Sequence, residues 1–130
     1  MVHRYSIRPR FYELDPYNHV NHTSYLQYFE TARVEALADV GYGLDVMSRA
    51  GFQIVLVELT ARFFAPATLH EDLVIETHVS EVSRASSRWA QEIRRQVQLI
   101  ASLDVRAAFT NLEGKPSRPP PGFAEAMSAI

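Results

Sequence analysis

Hydrophobic and polar residues alternate along most of this chain, which is the pattern of half-buried β-strands. The first alternating stretch covers residues 3–11. Pro9 predicts a strand end or a sheet edge there, because proline cannot donate to a sheet ladder. Four further strands are predicted, over residues 52–64, 72–82, 86–95 and 97–110. The turn near Arg95 and Gln96 contains neither Gly nor Asn, so it leaves the register of the last two strands open.

The alternation also predicts which side chains share a face of each strand, since successive side chains point to opposite sides. The predicted faces are His3, Tyr5, Ile7, Pro9 and Phe11 in the first strand; Val55, Val57, Leu59, Ala61 and Phe63 in the second; and Val97, Leu99, Ala101, Leu103, Val105, Ala107 and Phe109 in the last.

A helical period replaces the alternation between about Ser24 and Val40. The apolar stripe of this helix consists of Tyr25, Leu26, Phe29, Ala32, Ala36, Leu37 and Val40. Gly41 follows and ends the helix. The cap residue stays open among three polar residues near the helix start, Asn21, Thr23 and Ser24. Glu30 and Arg33 are three residues apart, a spacing that predicts an ion pair on the helix surface.

The order of these elements, one strand, a long helix and four strands, predicts an α+β fold with one helix on a mostly antiparallel sheet. With 130 residues, the chain is expected to form a single domain over residues 1–130. Its Pro-rich tail, about residues 114–130, includes a short helix near residues 123–127. One helix covers only one face of a sheet, yet both faces carry apolar residues. We therefore expect a homo-oligomer, at least a homodimer.

Composition narrows the classes of function. The chain is 47% hydrophobic and 22% charged, with a net charge of −2 and no cysteine. No apolar run is long enough to span a bilayer, and the N-terminus lacks the apolar block of a signal peptide, so we expect no membrane partner and a cytoplasmic protein. The net charge argues against nucleic-acid binding. Disulfides, thiolate nucleophiles and cysteine-ligated metals are excluded.

The polar turn between the first strand and the helix concentrates the chemically capable side chains. It runs Asp15-Pro16-Tyr17-Asn18-His19-Val20-Asn21-His22. A carboxylate near the unpaired amides of a helix start is suited to attack on a carbonyl while the oxyanion is held. Two other interpretations remain open at this point. Asp15 before Pro16 also opens ordinary turns, and Asp15, His19 and His22 form a weak zinc-ligand pattern.

The pattern Asp-x3-His-Val-Asn-x3-Tyr, followed by Leu26 and by Glu30-Thr31-Ala32-Arg33, resembles the hot-dog-fold acyl thioesterases. The resemblance is closest to the 4-hydroxybenzoyl-CoA thioesterase-like and acyl-CoA thioesterase group, which includes acyl-ACP thioesterases. It implies a long central helix wrapped by a five-stranded antiparallel sheet. It also implies dimers that often assemble into homotetramers, an active site at the dimer interface, an acyl-CoA or acyl-carrier-protein substrate, and no metal or organic cofactor.

The resemblance assigns roles residue by residue. Asp15 corresponds to the catalytic acid, acting either as the nucleophile or as the base that activates water. His22 corresponds to the residue whose backbone N–H holds the thioester oxygen, and His19 to a histidine with a proposed catalytic part. A structural role is the alternative for His19, in which its ring is buried and hydrogen-bonded across the turn. Substrate contacts are expected from Tyr17, Asn21, Tyr25, Arg84 and Arg88, where the two arginines are candidates for binding CoA phosphates.

Two other functions stay open. The first is a hot-dog dehydratase or hydratase, although those enzymes place their histidine and acid in a different layout. The second is a non-catalytic module that binds acyl thioesters on the same fold. Nothing in this chain matches the layout of the first, and the presence of Asp15 argues against the second.

Overall fold

The computed structural model describes residues 2–130 and has the α+β architecture expected from the sequence. Its elements are β1 (His3–Ile7), a 3-10 turn (Phe11–Glu13), α1 (His22–Asp39), α2 (Leu44–Arg49), β2 (Phe52–Phe63), β3 (Leu73–Val82), β4 (Ser86–Arg95), β5 (Gln98–Asn111) and α3 (Phe123–Met127). The strands form one antiparallel sheet in the order β1-β3-β4-β5-β2. The long helix and five-stranded sheet of the hot-dog fold are therefore confirmed.

Helix α1 lies on one face of the sheet and packs mainly on β3 and β1. Its buried residues are Ser24, Tyr25, Tyr28, Phe29, Ala32, Ala36 and Leu37. Ala32 and Ala36 are fully buried, and their small side chains allow close approach to the sheet. The helix begins at His22, two residues before the predicted start, because Asn21 is the cap. Gly41 follows its end with a φ of +94°, a conformation that favours glycine.

In two strands, a β-bulge changes which side chains share a face, so the predicted faces are partly wrong. In β2 the register shifts between Leu56 and Glu58, so Leu56 and Leu59 share the face of the sheet that carries α1, whereas Val55 lies on the opposite face. The expectation that Val55 and Val57 share a face with Leu59 is therefore wrong, because a bulge inserts one residue into the alternation.

In β5 a second bulge lies opposite Ile93 and Arg94. Leu99 therefore points away from the face predicted for it. Val97 lies in the turn and is 91% exposed, so its predicted burial is also wrong. The rest of the predicted face is buried: Ala101, Leu103, Val105, Ala107 and Phe109.

The first strand is shorter than predicted. It ends at Ile7, and the chain after Pro9 turns into a 3-10 segment in which Phe11 is exposed rather than buried. Strand β1 is one edge of the sheet and β2 is the other, as the position of Pro9 after β1 indicates. Helix α2 was not predicted, whereas α3 was. No helix within residues 2–130 combines the length and hydropathy of a membrane span.

Candidate active site

The turn from Asp15 to His19 is closed by its own backbone. The N–H of Asp15 donates to the carbonyl of His19 at 2.7 Å, and the N–H of Asn18 donates to the carbonyl of Asp15 at 3.0 Å. Asn18 has a φ of +62°, a conformation that asparagine tolerates better than most residues. Leu14 and Val20 pair on either side. Hydrogen bonds between its own backbone groups therefore hold the shape of this turn.

The Asp15 carboxylate is held by two backbone amides of this loop. Its Oδ1 accepts hydrogen bonds from the N–H of Tyr17 at 2.8 Å and from the N–H of His19 at 3.1 Å. Within residues 2–130 no donor to Oδ2 is found. The carboxylate is therefore oriented by one oxygen and keeps the other available.

Within the part of the chain that the structure describes, the start of α1 leaves one backbone amide without a partner. The side chain of Asn21 accepts from the N–H of Thr23 at 2.9 Å, and its carbonyl accepts from the N–H groups of Ser24 and Tyr25. Among the described residues, none accepts from the N–H of His22. A free amide at the first helical position is a potential anion donor, because the helix dipole adds to its partial positive charge.

Asp15 and His22 line the same open depression, which has a volume of about 420 Å³. Its other walls come from the turn, from α1 and from the segment after β2: His19, Val20, Tyr25, Phe63, Phe64, Ala65 and Pro66. Phe63 and Phe64 are exposed there and give the depression an apolar side. The structure thus brings together three predicted site residues of the turn with Tyr25 of the helix.

Tyr25 links this depression to the loop that follows β2. Its hydroxyl oxygen accepts a hydrogen bond from the N–H of Ala67 at 3.0 Å, and the carbonyl of Ala67 accepts from the N–H of Val20 at 2.8 Å. Burial raises the pKa of Tyr25 and outweighs the hydrogen bond from Ala67, which lowers it. The phenol therefore keeps its proton at neutral pH and can donate it.

A buried carboxylate, Glu13, supports the turn from below. It accepts from the N–H of Arg10 and from the hydroxyl of Tyr28, both at 2.7 Å. Its carbonyl accepts from the N–H of Asn21 at 2.8 Å. Burial, followed by the bond to Glu13, raises the pKa of Tyr28 well above its ordinary value. Sequence reasoning missed this pair; the only signal is that Tyr28 follows Tyr25 by three residues on the same helix.

An ion pair fixes the loop on the other side of the depression. Arg95 donates to the Glu71 carboxylate at 2.7 Å and to the carbonyl of Pro66 at 3.1 Å. Glu71 also accepts from the N–H and hydroxyl of Thr68. Burial acts to raise the pKa of Glu71, but the bonds from Thr68 and Arg95 outweigh it and hold this pKa below its ordinary value. Arg95 was not among the predicted site residues.

Within one chain, the side chains of three predicted substrate contacts do not line the Asp15 depression. Tyr17 contributes its N–H to the carboxylate, but its side chain is 78% exposed and is not part of the depression. Arg88 pairs with Glu81 at 3.5 Å, about 23 Å along β4 from Arg95 at the site. Arg84 lies beyond Arg88, in the turn between β3 and β4. The roles predicted for these three side chains stay predictions.

The structure does not support a metal-binding role for His19 and His22, or a buried ring for His19. Within residues 2–130, no group of His, Asp or Glu side chains is placed to hold a metal ion, so the spacing of Asp15, His19 and His22 does not form a ligand set. His19 is exposed, and the alternative in which its ring is buried across the turn is wrong. The side chain of His22 is exposed as well.

Comparison with known proteins gives consistent matches. The model of a family described as the thioesterase-like superfamily matches residues 9–127. The chain is 28% identical over 120 residues to the chloroplastic acyl-acyl carrier protein thioesterase ATL2 of Arabidopsis thaliana, covering 91% of this chain and 64% of that protein. It is 27% identical over 109 residues to the acyl-CoA thioesterase YbgC of Haemophilus influenzae, covering 83% of this chain and 80% of that protein.

Among solved structures, a probable thioesterase from Bartonella henselae superposes with a TM-score of 0.88 at 28% identity, covering 92% of this chain and 100% of that one. The chain spans between 44% and 64% of the lengths of the first three curated relatives that it matches.

Proposed function

Because the chain belongs to the thioesterase-like superfamily, we propose that it hydrolyses acyl thioesters of coenzyme A or of an acyl carrier protein to a free acid and a thiol. The names of its relatives support both thioester classes, since one is an acyl-acyl carrier protein thioesterase and another an acyl-CoA thioesterase. The observation that carries the proposal is that Asp15 and His22 line one depression, and that the N–H of His22 has no acceptor among residues 2–130.

Asp15 supplies the side-chain chemistry in this proposal. As a nucleophile, its Oδ2 bonds to the thioester carbon, the C–S bond breaks, the thiolate leaves, and water then hydrolyses the mixed anhydride. As a general base, the carboxylate instead takes a proton from the water that attacks the same carbon. Both routes yield acid and thiol. The backbone bonds to Oδ1 favour either route, because they fix the direction in which Oδ2 points.

The N–H of His22 is the proposed oxyanion donor. The negative charge that develops on the thioester oxygen would receive a hydrogen bond from an amide at a helix start, and one such donor can lower a barrier by about 3 kcal/mol. The side chain of His22 is not needed for this role. His19 and Tyr25 line the same depression. His19 remains our candidate for a further catalytic part, and Asn21 and Tyr25 remain our candidate substrate contacts.

We also propose that the chain assembles at least as a homodimer, which the resemblance extends to a homotetramer. The support comes from β2, which pairs with β5 on one side and is an open sheet edge on the other. Apolar side chains are exposed along it: Val55, Leu56, Val57, Leu59 and Phe63. An open apolar edge is a template for pairing with another chain. Arg84 and Arg88 would then contact the CoA phosphates of a neighbouring protomer's substrate.

A free-thiol release assay across short, long and aromatic acyl-CoAs tests the proposal. We expect release of CoA with at least one class, and no dehydration of 3-hydroxyacyl-CoA measured in parallel. Dehydration without thiol release would replace the proposal with the hydratase alternative. Tight binding of acyl-CoA with no thiol released over hours would favour the non-catalytic module.

A further inference from the structure

The hydroxyl of Tyr25 is buried and has no acceptor for its proton among residues 2–130. Tyr25 is 4% exposed. Its hydroxyl oxygen accepts a hydrogen bond from the N–H of Ala67 at 3.0 Å, but no residue in this range accepts from the O–H. Buried tyrosine hydroxyls usually donate to a partner. A carbonyl bound in the depression that Tyr25 lines with Asp15 and His22 would supply the missing acceptor.

The Tyr25 side chain is held in place on several sides. Its ring centre lies 5.5 Å from that of Phe63 and 6.2 Å from that of Tyr28, which it meets edge to face. The N–H of Ala67 fixes the hydroxyl oxygen, and the carbonyl of Ala67 accepts from the N–H of Val20 at 2.8 Å. The hydroxyl is therefore tied to the turn that carries the proposed catalytic carboxylate. A donor fixed in advance costs little reorganisation when charge develops beside it.

Of residues 15–22 and 64–66 that line the depression, only His22 has an unpaired N–H. Pro66 has no N–H, and the other amides donate elsewhere: those of Asp15, His19, Val20, Phe64 and Ala65. An oxyanion has room for more than one hydrogen bond. Side chains are the remaining source of a second donor, and among His19, His22 and Tyr25 only Tyr25 is buried. Tyr25 is thus the side-chain donor with the most restricted position.

The surroundings of Tyr25 keep its hydroxyl protonated at neutral pH. Burial raises the pKa of Tyr25, and the negative charges of Glu71 and Asp15 act in the same direction, whereas the bond from Ala67 and the charge of Arg95 lower it. The hydrogen bond that the oxygen accepts also strengthens the O–H as a donor, because hydrogen bonds in a chain polarise one another. Tyr25 therefore brings a neutral donor to the same depression as the Asp15 carboxylate.

We propose that the Tyr25 hydroxyl is the second donor of the oxyanion hole and, together with the N–H of His22, binds the thioester oxygen. When Oδ2 of Asp15, or the water that Asp15 activates, bonds to the thioester carbon, the C=O π electrons move onto this oxygen. Both donors stabilise the negative charge and keep their protons. The electron pair then returns to carbon and the C–S bond breaks. The inference rests on the proposed thioesterase activity and adds a catalytic role for Tyr25.

Tyr25→Phe removes the hydroxyl and keeps the ring. We expect kcat for thiol release, from the acyl-CoA that the wild type cleaves fastest, to fall about 100-fold. KM should stay within about threefold of the wild type, because the donor acts mainly on the charge of the transition state. Tyr12→Phe makes the same change at an exposed ring outside the depression and should keep the wild-type kcat. Circular dichroism checks that both variants fold.

The outcomes separate this role from the activity itself. Wild-type kcat in a folded Tyr25→Phe protein would overturn the role of Tyr25 and leave the thioesterase function standing. A wild-type protein that releases no thiol from any acyl-CoA would overturn both.

A dithioester of CoA distinguishes an oxyanion donor from a structural residue or a donor to the leaving thiol. Its thiocarbonyl sulfur accepts hydrogen bonds only weakly, whereas its leaving thiol is unchanged. The ratio of the wild-type kcat to the Tyr25→Phe kcat should therefore fall from about 100 with the thioester to below about 10 with the dithioester. Equal ratios would overturn the proposal, because a distorted site or a lost donor to the leaving sulfur slows both substrates alike.

A difluorinated tyrosine in place of Tyr25 carries the test if Tyr25→Phe does not fold. It keeps the hydroxyl and the bond from Ala67, while the fluorine atoms lower the pKa of the phenol. Because only the protonated phenol can donate, kcat should decline at a lower pH than in the wild type as the pH rises. The same replacement at Tyr12 is the control and should leave the pH profile unchanged. An unshifted profile for the replacement at Tyr25 would overturn the proposal.

Discussion

The N–H of Thr23 donates to the side-chain oxygen of Asn21 at 2.9 Å, and this cap leaves the N–H of His22 without an acceptor among residues 2–130. The helix cap, Asn21, is therefore the direct neighbour in sequence of the proposed oxyanion donor, His22. Asn21 satisfies the amides that follow His22, and His22 itself lines the depression together with Asp15.

Replacing His22 by proline tests the role of its backbone N–H separately from that of its side chain. Proline is well tolerated at the first position of a helix, so His22→Pro should fold while lacking only the N–H. We expect kcat for thiol release to fall by about 10²–10³-fold. His22→Ala keeps the N–H and is the matched control, with kcat expected within about threefold of the wild type. Equal activity of the two variants would remove this amide from the mechanism.

Tyr28→Phe tests the support beneath the turn. The change removes one donor from the buried Glu13 carboxylate, and leaving such a group less satisfied costs about 1–3 kcal/mol of unfolding free energy. Urea denaturation measures this loss. Tyr12→Phe makes the same change at an exposed ring and should stay within about 0.5 kcal/mol of the wild type. If the two variants are equally stable, the Tyr28–Glu13 bond does not support the fold.

Glu71 gives the stability of the site loop a pH dependence. Because its folded pKa lies below the ordinary value of 4.5, its contribution is present above that pH and is lost as the pH falls through the folded pKa. The difference in unfolding free energy between the wild type and Glu71→Gln should therefore be constant above about pH 5 and shrink below about pH 4.

Chemical denaturation between pH 3 and 7 measures this difference. Gln98→Ala removes another acceptor of Arg95 without removing a titratable group, and its difference from the wild type should not vary with pH over the same range. A difference for Glu71→Gln that stays constant down to pH 3 would show that the loop does not depend on this carboxylate.

The fold was predicted mainly from local periodicity in the sequence. Alternation and the helical stripe depend on neighbours in sequence, and they placed α1 and all five strands within a few residues. The errors arise where a distant segment decides the outcome. The bulges near Leu56 and Arg94 depend on the paired strand, and they reversed the predicted faces of Val55 and Leu99.

The same distinction applies to the site. Asp15, His19 and His22 are close in sequence, so their meeting at one depression was predictable from the turn. Glu71 and Arg95 are 24 residues apart, and Tyr28 reaches Glu13 only because α1 folds back over the turn. Arg33 shows the opposite case: its predicted neighbour Glu30 was available at helical spacing, but Gln91 of β4 binds it instead.

The central claim is that the Asp15 carboxylate performs thioester hydrolysis, and Asp15→Asn tests it most directly. The amide oxygen of asparagine can still accept from the N–H groups of Tyr17 and His19, so the turn should keep its shape. Asp72→Asn makes the same change at an exposed carboxylate paired with Arg8 and serves as the control. Steady-state thiol release should fall by about 10³-fold in Asp15→Asn and stay at the wild-type rate in Asp72→Asn. Thiol release at the wild-type rate by a folded Asp15→Asn protein would contradict the account.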